Sequence, residues 1–170
     1  MSTLQAVHND IGLGVAVNAD QYLTFMLAGE EYGVDILRVQ EIKGWGKVTP
    51  IPNTPDYVRG VMNLRGTIVP IIDLRKRFCL ESIEYGPTTV VIVLRIESDG
   101  HDRIMGIVVD AVSDVYAVPN EELRESPDFG GDVNVEFVKG LATVDEKMVI
   151  MLNIDKLLNR DELAMVDVAE

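Results

Sequence analysis

The sequence predicts a mainly β fold made of two similar small barrels, with a few short helices and a helix near the C-terminus. Three observations support this prediction: an internal repeat, many short runs of strand-forming apolar residues, and turn residues between those runs. Each half of the 170-residue chain has about the size of a small closed barrel, an arrangement that removes exposed sheet edges.

The internal repeat consists of two segment pairs that recur in the same order. Residues 33–42 return at 106–115, an offset of 73 (33 to 106), and both copies read glycine, apolar, any, apolar, any, any, valine, polar, acid, apolar. Residues 60–74 return at 140–154, an offset of 80 (60 to 140). Two copies are too few for a solenoid, so the repeat predicts two similar halves.

The first half begins with a hairpin signal. Residues 22–34 contain apolar residues on both faces of a strand, a turn at 28–31 and the start of a return strand. Asp35 is placed to cap a short helical turn that reaches Val39 and Ile42.

The later strands are predicted from apolar runs bounded by polar turns. Residues 68–72 form one such run, and Pro70 within it lacks an N–H, so it belongs at a sheet edge or a bulge. The second half is predicted to contain strands at 90–94, 104–109 and 148–152, a long loop at 119–138 and a helix at 154–168.

Composition excludes several classes of function. The formal net charge of −13 repels phosphate backbones and anionic lipid surfaces, so nucleic-acid binding is not expected. The single cysteine permits no internal disulfide, which fits a reducing compartment. No secretory signal and no apolar run long enough for a membrane helix is visible, so we expect a soluble cytoplasmic protein without direct membrane insertion.

The sequence shows no catalytic or metal-binding constellation. His8 falls in the polar N-terminal tail and His101 in a hairpin turn, and no Cys or His pair has metal-ligand spacing. Cys79 follows a phenylalanine in an apolar stretch, which favours a buried structural thiol over a nucleophile. An enzyme on a β-barrel therefore lacks its acid, base and nucleophile, and no cofactor is expected.

Instead, the chain carries more apolar residues than two small barrels can bury. Some of them are expected to line a groove for a partner, although each one taken singly fits the core equally well. These residues are Val34, Ile36, Val39, Ile42, Trp45, Val48, Val90, Val112 and Val115.

Arg65 is the polar residue that most suggests a contact with a partner. Its repeat counterpart is Asp145, so the duplicated fold does not require a cation at this position. A planar, permanently charged guanidinium suits a partner's carboxylate or carbonyl groups. The alternative is an internal salt bridge to an acid such as Glu41.

Several segments closely resemble the CheW family of bacterial chemotaxis coupling proteins. The most specific are Asn63-Leu64-Arg65-Gly66 and Tyr32-Gly33-Val34-Asp35-Ile36. The resemblance covers about residues 20–165. It implies two five-stranded SH3-like barrels around a shared core, with a boundary near 80–88 and C-terminal segments that can cross over. Residues 1–19 and 166–170 are then a flexible N-terminal tail and a C-terminal tail.

The resemblance also implies a function and its sites. The chain is expected to be a non-enzymatic adaptor, monomeric when isolated, that couples the histidine kinase CheA, through its regulatory domain, to the cytoplasmic tips of chemoreceptors in membrane-bound arrays. A CheW-like scaffold for another chemosensory pathway is the alternative. The residues implied for receptor binding are Val39, Glu41, Arg65 and Val90. Those implied for kinase binding are Gly60, Arg124 and Phe129.

Overall fold

The computed structural model describes residues 19–98, 100–127 and 136–158, and it places ten strands in two five-stranded sheets. The strands are β1 Ala19–Leu27, β2 Glu30–Asp35, β3 Val39–Gly44, β4 Val58–Leu64, β5 Thr67–Asp73, β6 Val90–Ser98, β7 His101–Val109, β8 Ala111–Pro119, β9 Val138–Val144 and β10 Lys147–Leu152. The helices are α1 Leu74–Arg77 and α2 Ile154–Leu157, with 3-10 turns at Ile36–Arg38 and Asn120–Glu122. The mainly β prediction is confirmed.

The strand orders of the two sheets reproduce the sequence repeat. The first sheet has the order β8-β1-β2-β10-β9, and the second has β3-β6-β7-β5-β4. Position by position, β8 corresponds to β3, and β9 and β10 correspond to β4 and β5, as the sequence offsets require. Each sheet also contains one parallel strand pair. In the first sheet Met151 on β10 lies beside Gly33 on β2, and in the second Ile71 on β5 lies beside Gly106 on β7. These four residues match at the offsets of 80 and 73, so the predicted duplication is confirmed.

The chain does not pass from one sheet to the other near 80–88. The second sheet is built from one continuous stretch, 39–109, whereas the first combines the N-terminal hairpin with the three C-terminal strands. The chain crosses between sheets at Ile36–Arg38 and again at Asp110. Residues 80–88 join α1 to β6 within one sheet. The sequence repeat did not reveal this because the matched segments contain neither β1 nor β6.

In each sheet, the segment that follows one edge strand, β3 or β8, pairs with the strand at the opposite edge, β4 or β9. This pairing closes the sheet. Thr49, beyond β3, forms an isolated bridge with Val61 on β4, and Arg124, beyond β8, forms one with Leu141 on β9. Val61 and Leu141 are equivalent at the offset of 80. The backbone nitrogen–oxygen distances are 2.9 Å at the first bridge and 2.7–2.8 Å at the second. The two bridges are therefore equivalent features of the two repeated halves.

The helical segments are shorter than the sequence suggested. Asp35 caps a turn as predicted, since its Oδ1 accepts a hydrogen bond from the backbone N–H of Leu37 at 2.9 Å. The turn ends at Arg38, however, because Val39 already pairs with Leu94 in a strand ladder. Of the predicted C-terminal helix, Ile154–Leu157 is helical, and the remainder beyond residue 158 lies outside the described residues. Of the predicted tail at 1–19, residues 1–18 lie outside the described residues and Ala19 begins β1.

Pro70 lies in an interior strand, so its predicted place at a sheet edge is wrong, whereas the register shift of the β4–β5 pair begins at the neighbouring pair, Gly60–Ile71. β5 is flanked by β4 and β7. In an antiparallel hairpin, hydrogen-bonded residue pairs alternate with pairs that are not hydrogen-bonded. Counting from the pair Leu64–Thr67 at the turn, Pro70 and Val61 form a pair without hydrogen bonds, so the Pro70 nitrogen faces away from β4. The ladder with β7 begins only at Ile71. Proline at this position therefore removes no hydrogen bond from the β4–β5 ladder.

One apolar core joins the two sheets. Its largest cluster combines Phe25 and Val34 of the first sheet with Ile92 and Ile107 of the second, all buried to within 1%. Burial of such side chains stabilises the fold by about 1.5–3 kcal/mol each. The two sheets therefore form one folding unit.

Candidate functional site

A groove of about 470 Å³ lies between β3 and β8, the corresponding edge strands of the two sheets. Residues from both edges line it in equivalent positions, together with two from the adjoining segments. The lining consists of Leu23, Ile36, Val39, Gln40, Glu41, Ile42, Val112, Ser113, Asp114 and Val115. Each residue from 39 to 42 thus has its counterpart, at the offset of 73, on the opposite wall.

The groove has an apolar floor and a polar rim. Val39 and Val112 are half-buried and pack against the main core, while Gln40 and Ser113 are exposed. The two apolar positions of each wall lie three residues apart, at 39 and 42 and at 112 and 115. The strand pairing shifts register between them on both walls, which turns both side chains toward the groove. Such a surface can take an amphipathic segment with its apolar side inward.

Arg65 lies at the groove margin rather than inside it. It occupies the two-residue turn between β4 and β5 with a φ of 53°, and its side chain is 78% exposed. Its Nη1 donates to Glu41 Oε1 at 2.7 Å. The internal salt bridge considered from the sequence is therefore present. An exposed pair of this kind adds only about 0–1 kcal/mol to stability, which leaves the guanidinium available to a partner.

The residues implied for receptor contact are only partly gathered at this groove. Val39 and Glu41 line it, and Arg65 reaches it through Glu41. Val90 opens β6 and pairs with Gly44, at the opposite end of β3 from Val39. It is half-buried against the main core. Sequence reasoning missed Gln40, Ser113 and Asp114, although the repeat offset pairs Gln40 with Ser113 and Glu41 with Asp114 across the groove.

The residues implied for kinase contact do not form one cluster. Gly60 is buried on β4 of the second sheet, where a Cβ atom would meet Thr49 O at 2.1 Å. Arg124 is exposed beside β9 of the first sheet. Phe129 lies outside the described residues. Gly60 thus has a structural reason to be glycine, whereas Arg124 offers an accessible cation.

The described part of the chain contains no cluster of His, Cys, Asp or Glu suited to a metal ion. Cys79 is exposed, directly after α1 and with a φ of 61°, so the predicted buried thiol is wrong. The left-handed turn that ends α1 carries the side chain outward. Within the described ranges, no helix has the length and apolar character needed to cross a membrane.

Comparisons with known proteins agree with this architecture. The family model described as CheW-like domain matches residues 21–162. The chain is 49% identical over 147 residues to the Chemotaxis protein CheW of Klebsiella aerogenes, covering 86% of each chain. It is 37% identical over 155 residues to the Chemotaxis protein CheW of Treponema pallidum, covering 88% of this chain and 89% of the relative.

A solved structure shares the fold as well as the sequence. The crystal structure of scaffolding protein TtCheW from Thermoanaerobacter tengcongensis superposes with a TM-score of 0.74 at 33% identity, covering 85% of this chain and 95% of that one. The matched range of the family model includes the groove and all ten strands except the first two residues of β1. The chain therefore belongs to the CheW-like domain family.

Proposed function

We propose that this chemotaxis adaptor joins the histidine kinase CheA to the cytoplasmic tips of chemoreceptors, and that the groove between β3 and β8 holds the receptor. The groove is the observation that supports this most directly. It combines an apolar floor with charged margins, and the matching edge strands of both sheets form its walls.

The dimensions and chemistry of the groove suit a helix. An amphipathic helix docks by placing apolar side chains spaced three or four residues apart into a groove. Val39 and Ile42 on one wall and Val112 and Val115 on the other supply the apolar contacts. Only a few such anchors need to be buried for specific binding, with the polar margin excluding water around them.

Charge at the margin is expected to set the orientation of the receptor. Glu41 and Asp114 occupy equivalent places on opposite walls, and among the described residues only Glu41 has an arginine partner, Arg65. The two margins therefore differ in charge. Complementary charges on a receptor helix would favour one direction of docking over the other.

Kinase binding is proposed for the surface near Arg124, and also for Phe129, which lies outside the described residues. Arg124 is exposed, and its backbone is fixed by two hydrogen bonds to Leu141. Gly60 would contribute indirectly, because it allows the close approach of the Thr49–Pro50 segment. The adaptor would act without catalysis and without a cofactor, as a cytoplasmic monomer recruited to receptor arrays. Service to a different chemosensory pathway is the alternative.

The test of this function is reconstitution of the complex from three purified parts: this chain, CheA and a receptor cytoplasmic fragment. We expect the chain to bind each partner alone and to increase the amount of kinase recovered with the receptor. Failure to bind either partner would contradict the proposal. Binding to receptors of only one sensory pathway would identify the pathway that the adaptor serves.

Arg65→Glu is expected to weaken receptor binding more than folding. The substitution places a second acid beside Glu41 at an exposed turn, so the change in unfolding free energy should stay within about 1 kcal/mol. Loss of a charge contact desolvated in the complex should cost about 2–3 kcal/mol of binding free energy. Thermal melting and receptor affinity, measured on the same preparation, separate the two effects.

The matched control is Lys147→Glu, which reverses an exposed charge at the start of β10, near the equivalent turn of the other sheet. It should leave receptor affinity unchanged. If Arg65→Glu lowers the melting temperature markedly while the folded fraction binds normally, Arg65 is a structural residue and does not contact the receptor.

A further inference from the structure

Two bidentate ion pairs fasten the points where the chain crosses between the sheets. At the first crossing, Arg38 donates through Nη1 and Nη2 to Asp155 Oδ1 and Oδ2 at 3.0 and 2.7 Å. At the second, Arg75 donates through Nε and Nη2 to Asp110 Oδ1 and Oδ2 at 2.9 and 2.7 Å. Their side chains are between 13% and 31% exposed. We call them the crossing ion pairs.

The crossing ion pairs have opposite polarity, and their helix members match in the internal repeat. Arg75 on α1 corresponds, at the offset of 80, to Asp155 on α2. The crossing segment therefore supplies the cation in one copy, as Arg38, and the carboxylate in the other, as Asp110. A sequence comparison hides this relation, because Arg75 and Asp155 differ in charge and Arg38 aligns with Ala111 rather than with Asp110.

The surroundings of the two carboxylates are also equivalent. Asp110 Oδ2 accepts a hydrogen bond from the backbone N–H of Ala28 at 2.9 Å, and Asp155 Oδ1 accepts one from Glu97 N–H at 2.9 Å. The register of the β1–β2 and β6–β7 hairpins makes Ala28 the counterpart of Glu97. Each carboxylate thus sits in the same backbone site, although it comes from a different part of the chain.

Each crossing ion pair connects both sheets. Asp110 joins α1, which follows a strand of the second sheet, to Ala28 in the first. Arg38 joins α2, which follows a strand of the first sheet, to the carbonyl oxygen of Arg95 in the second, at 2.9 Å. Hydrogen bonds to Arg75 and Ala28 also lower the pKa of Asp110, which keeps the carboxylate charged.

Both pairs stand directly before a wall of the groove. Arg38 precedes Val39, the first residue of β3, and Asp110 precedes β8. The two walls belong to different sheets, so their separation depends on how the sheets are fastened. We propose that the crossing ion pairs set the distance between β3 and β8, which makes Arg38, Asp155, Arg75 and Asp110 positioning residues for the groove.

The test measures the width of the groove directly. Nitroxide labels on Gln40→Cys and Ser113→Cys, in a Cys79→Ser background, report the distance between the two walls by pulsed electron resonance; both labelled positions are exposed. Arg75→Asp places a second carboxylate against that of Asp110. In protein that is still folded, it is expected to lengthen the distance between the labels or to broaden its distribution. If Arg75→Asp does not fold, Asp110→Asn is the milder variant, because it removes the charge that pairs with Arg75 without adding a repulsive one.

The decisive variant is the exchange of charges, Arg75→Asp with Asp110→Arg. The Arg38–Asp155 pair shows that this polarity fits the equivalent backbone site, with the carboxylate on the helix and an arginine at the crossing, one residue later in the repeat than Asp110. The exchange should restore the parental distance, and it should recover the melting temperature lost in Arg75→Asp, a loss of about 5 °C. A distance that no variant changes, or an exchanged protein that stays as open as Arg75→Asp, would overturn the proposal.

Receptor binding adds a second measurement, which rests on the proposed function. We expect Arg75→Asp to reduce receptor affinity and the exchange to recover it. Altered groove width with unchanged affinity would refute the receptor groove and leave the positioning role intact. Altered affinity with unchanged width would refute the positioning role alone.

Discussion

Val39→Asp is expected to weaken receptor binding by roughly 100-fold while leaving a folded protein. Val39 lies in the floor of the groove, half-buried against the main core, and its counterpart Val112 faces it from the opposite wall. A bound receptor helix would enclose the new carboxylate among apolar side chains. An unpaired charge in that position should cost about 3 kcal/mol or more, which lowers affinity by roughly 100-fold.

The same substitution should destabilise the free protein only modestly. In the absence of a partner the groove is open to water, so the carboxylate keeps much of its hydration. The lost apolar contacts should lower the unfolding free energy by about 1 kcal/mol, equivalent to roughly 2–4 °C in melting temperature for a chain of this size. Isothermal titration with a receptor fragment, beside thermal melting, checks both quantities.

Leu37→Asp is the matched control for Val39→Asp. Leu37 lies two residues earlier, is 76% exposed and does not line the groove. It introduces the same charge at nearly the same place in the sequence. Equal losses of affinity from both variants would show that general charge, and not the floor of the groove, governs receptor binding.

The repeat carried the sequence prediction of the fold further than any single segment did. It predicted two similar units, and the matching sheet orders confirm them. It could not show which strands complete each unit, because β1 and β6 share too few residue identities to match. The N-terminal hairpin therefore belongs to the unit formed mainly by the C-terminal strands, which sequence order alone does not indicate.

The candidate site was predicted in outline only. The sequence contains more apolar residues than two small cores can bury, which indicated a groove, and Val39 and Val112 do line one. Individual residues could not be assigned, because Val34 is fully buried while Val39 is half-buried in the same repeat segment. Solvent exposure at such positions depends on the packing of the two sheets, which period-two alternation does not specify.

Polar features were harder still to predict, because they depend on tertiary pairing. The sequence considered Glu41 as a partner for Arg65, and the structure shows that salt bridge. It did not suggest that Arg75 pairs with Asp110, 35 residues away. One signal was present in the repeat: Arg75 aligns with Asp155, an opposite charge at a matched position. Such reversals deserve a search for exchanged ion pairs.

Gly60→Ala is expected to have the largest effect on stability of any single methyl addition considered. Gly60 has a φ of 133°, which an L side chain rarely adopts, and a Cβ atom would lie 2.1 Å from Thr49 O and 2.9 Å from Pro50 Cα. Both obstacles are backbone atoms, so no side-chain rotation relieves them. The bridge between Thr49 and Val61, which closes the second barrel, would have to open.

Backbone strain and loss of this closure should together cost about 3–5 kcal/mol of unfolding free energy, a decrease of roughly 10 °C in melting temperature. Gly66→Ala separates the two causes, because Gly66 also has a positive φ, 89°, but has nothing within 4 Å of the added methyl. It should cost only about 1 kcal/mol. If the two variants melt alike, backbone conformation alone explains Gly60. If Gly60→Ala stays folded at low temperature and still binds CheA normally, the closure does not support the kinase surface.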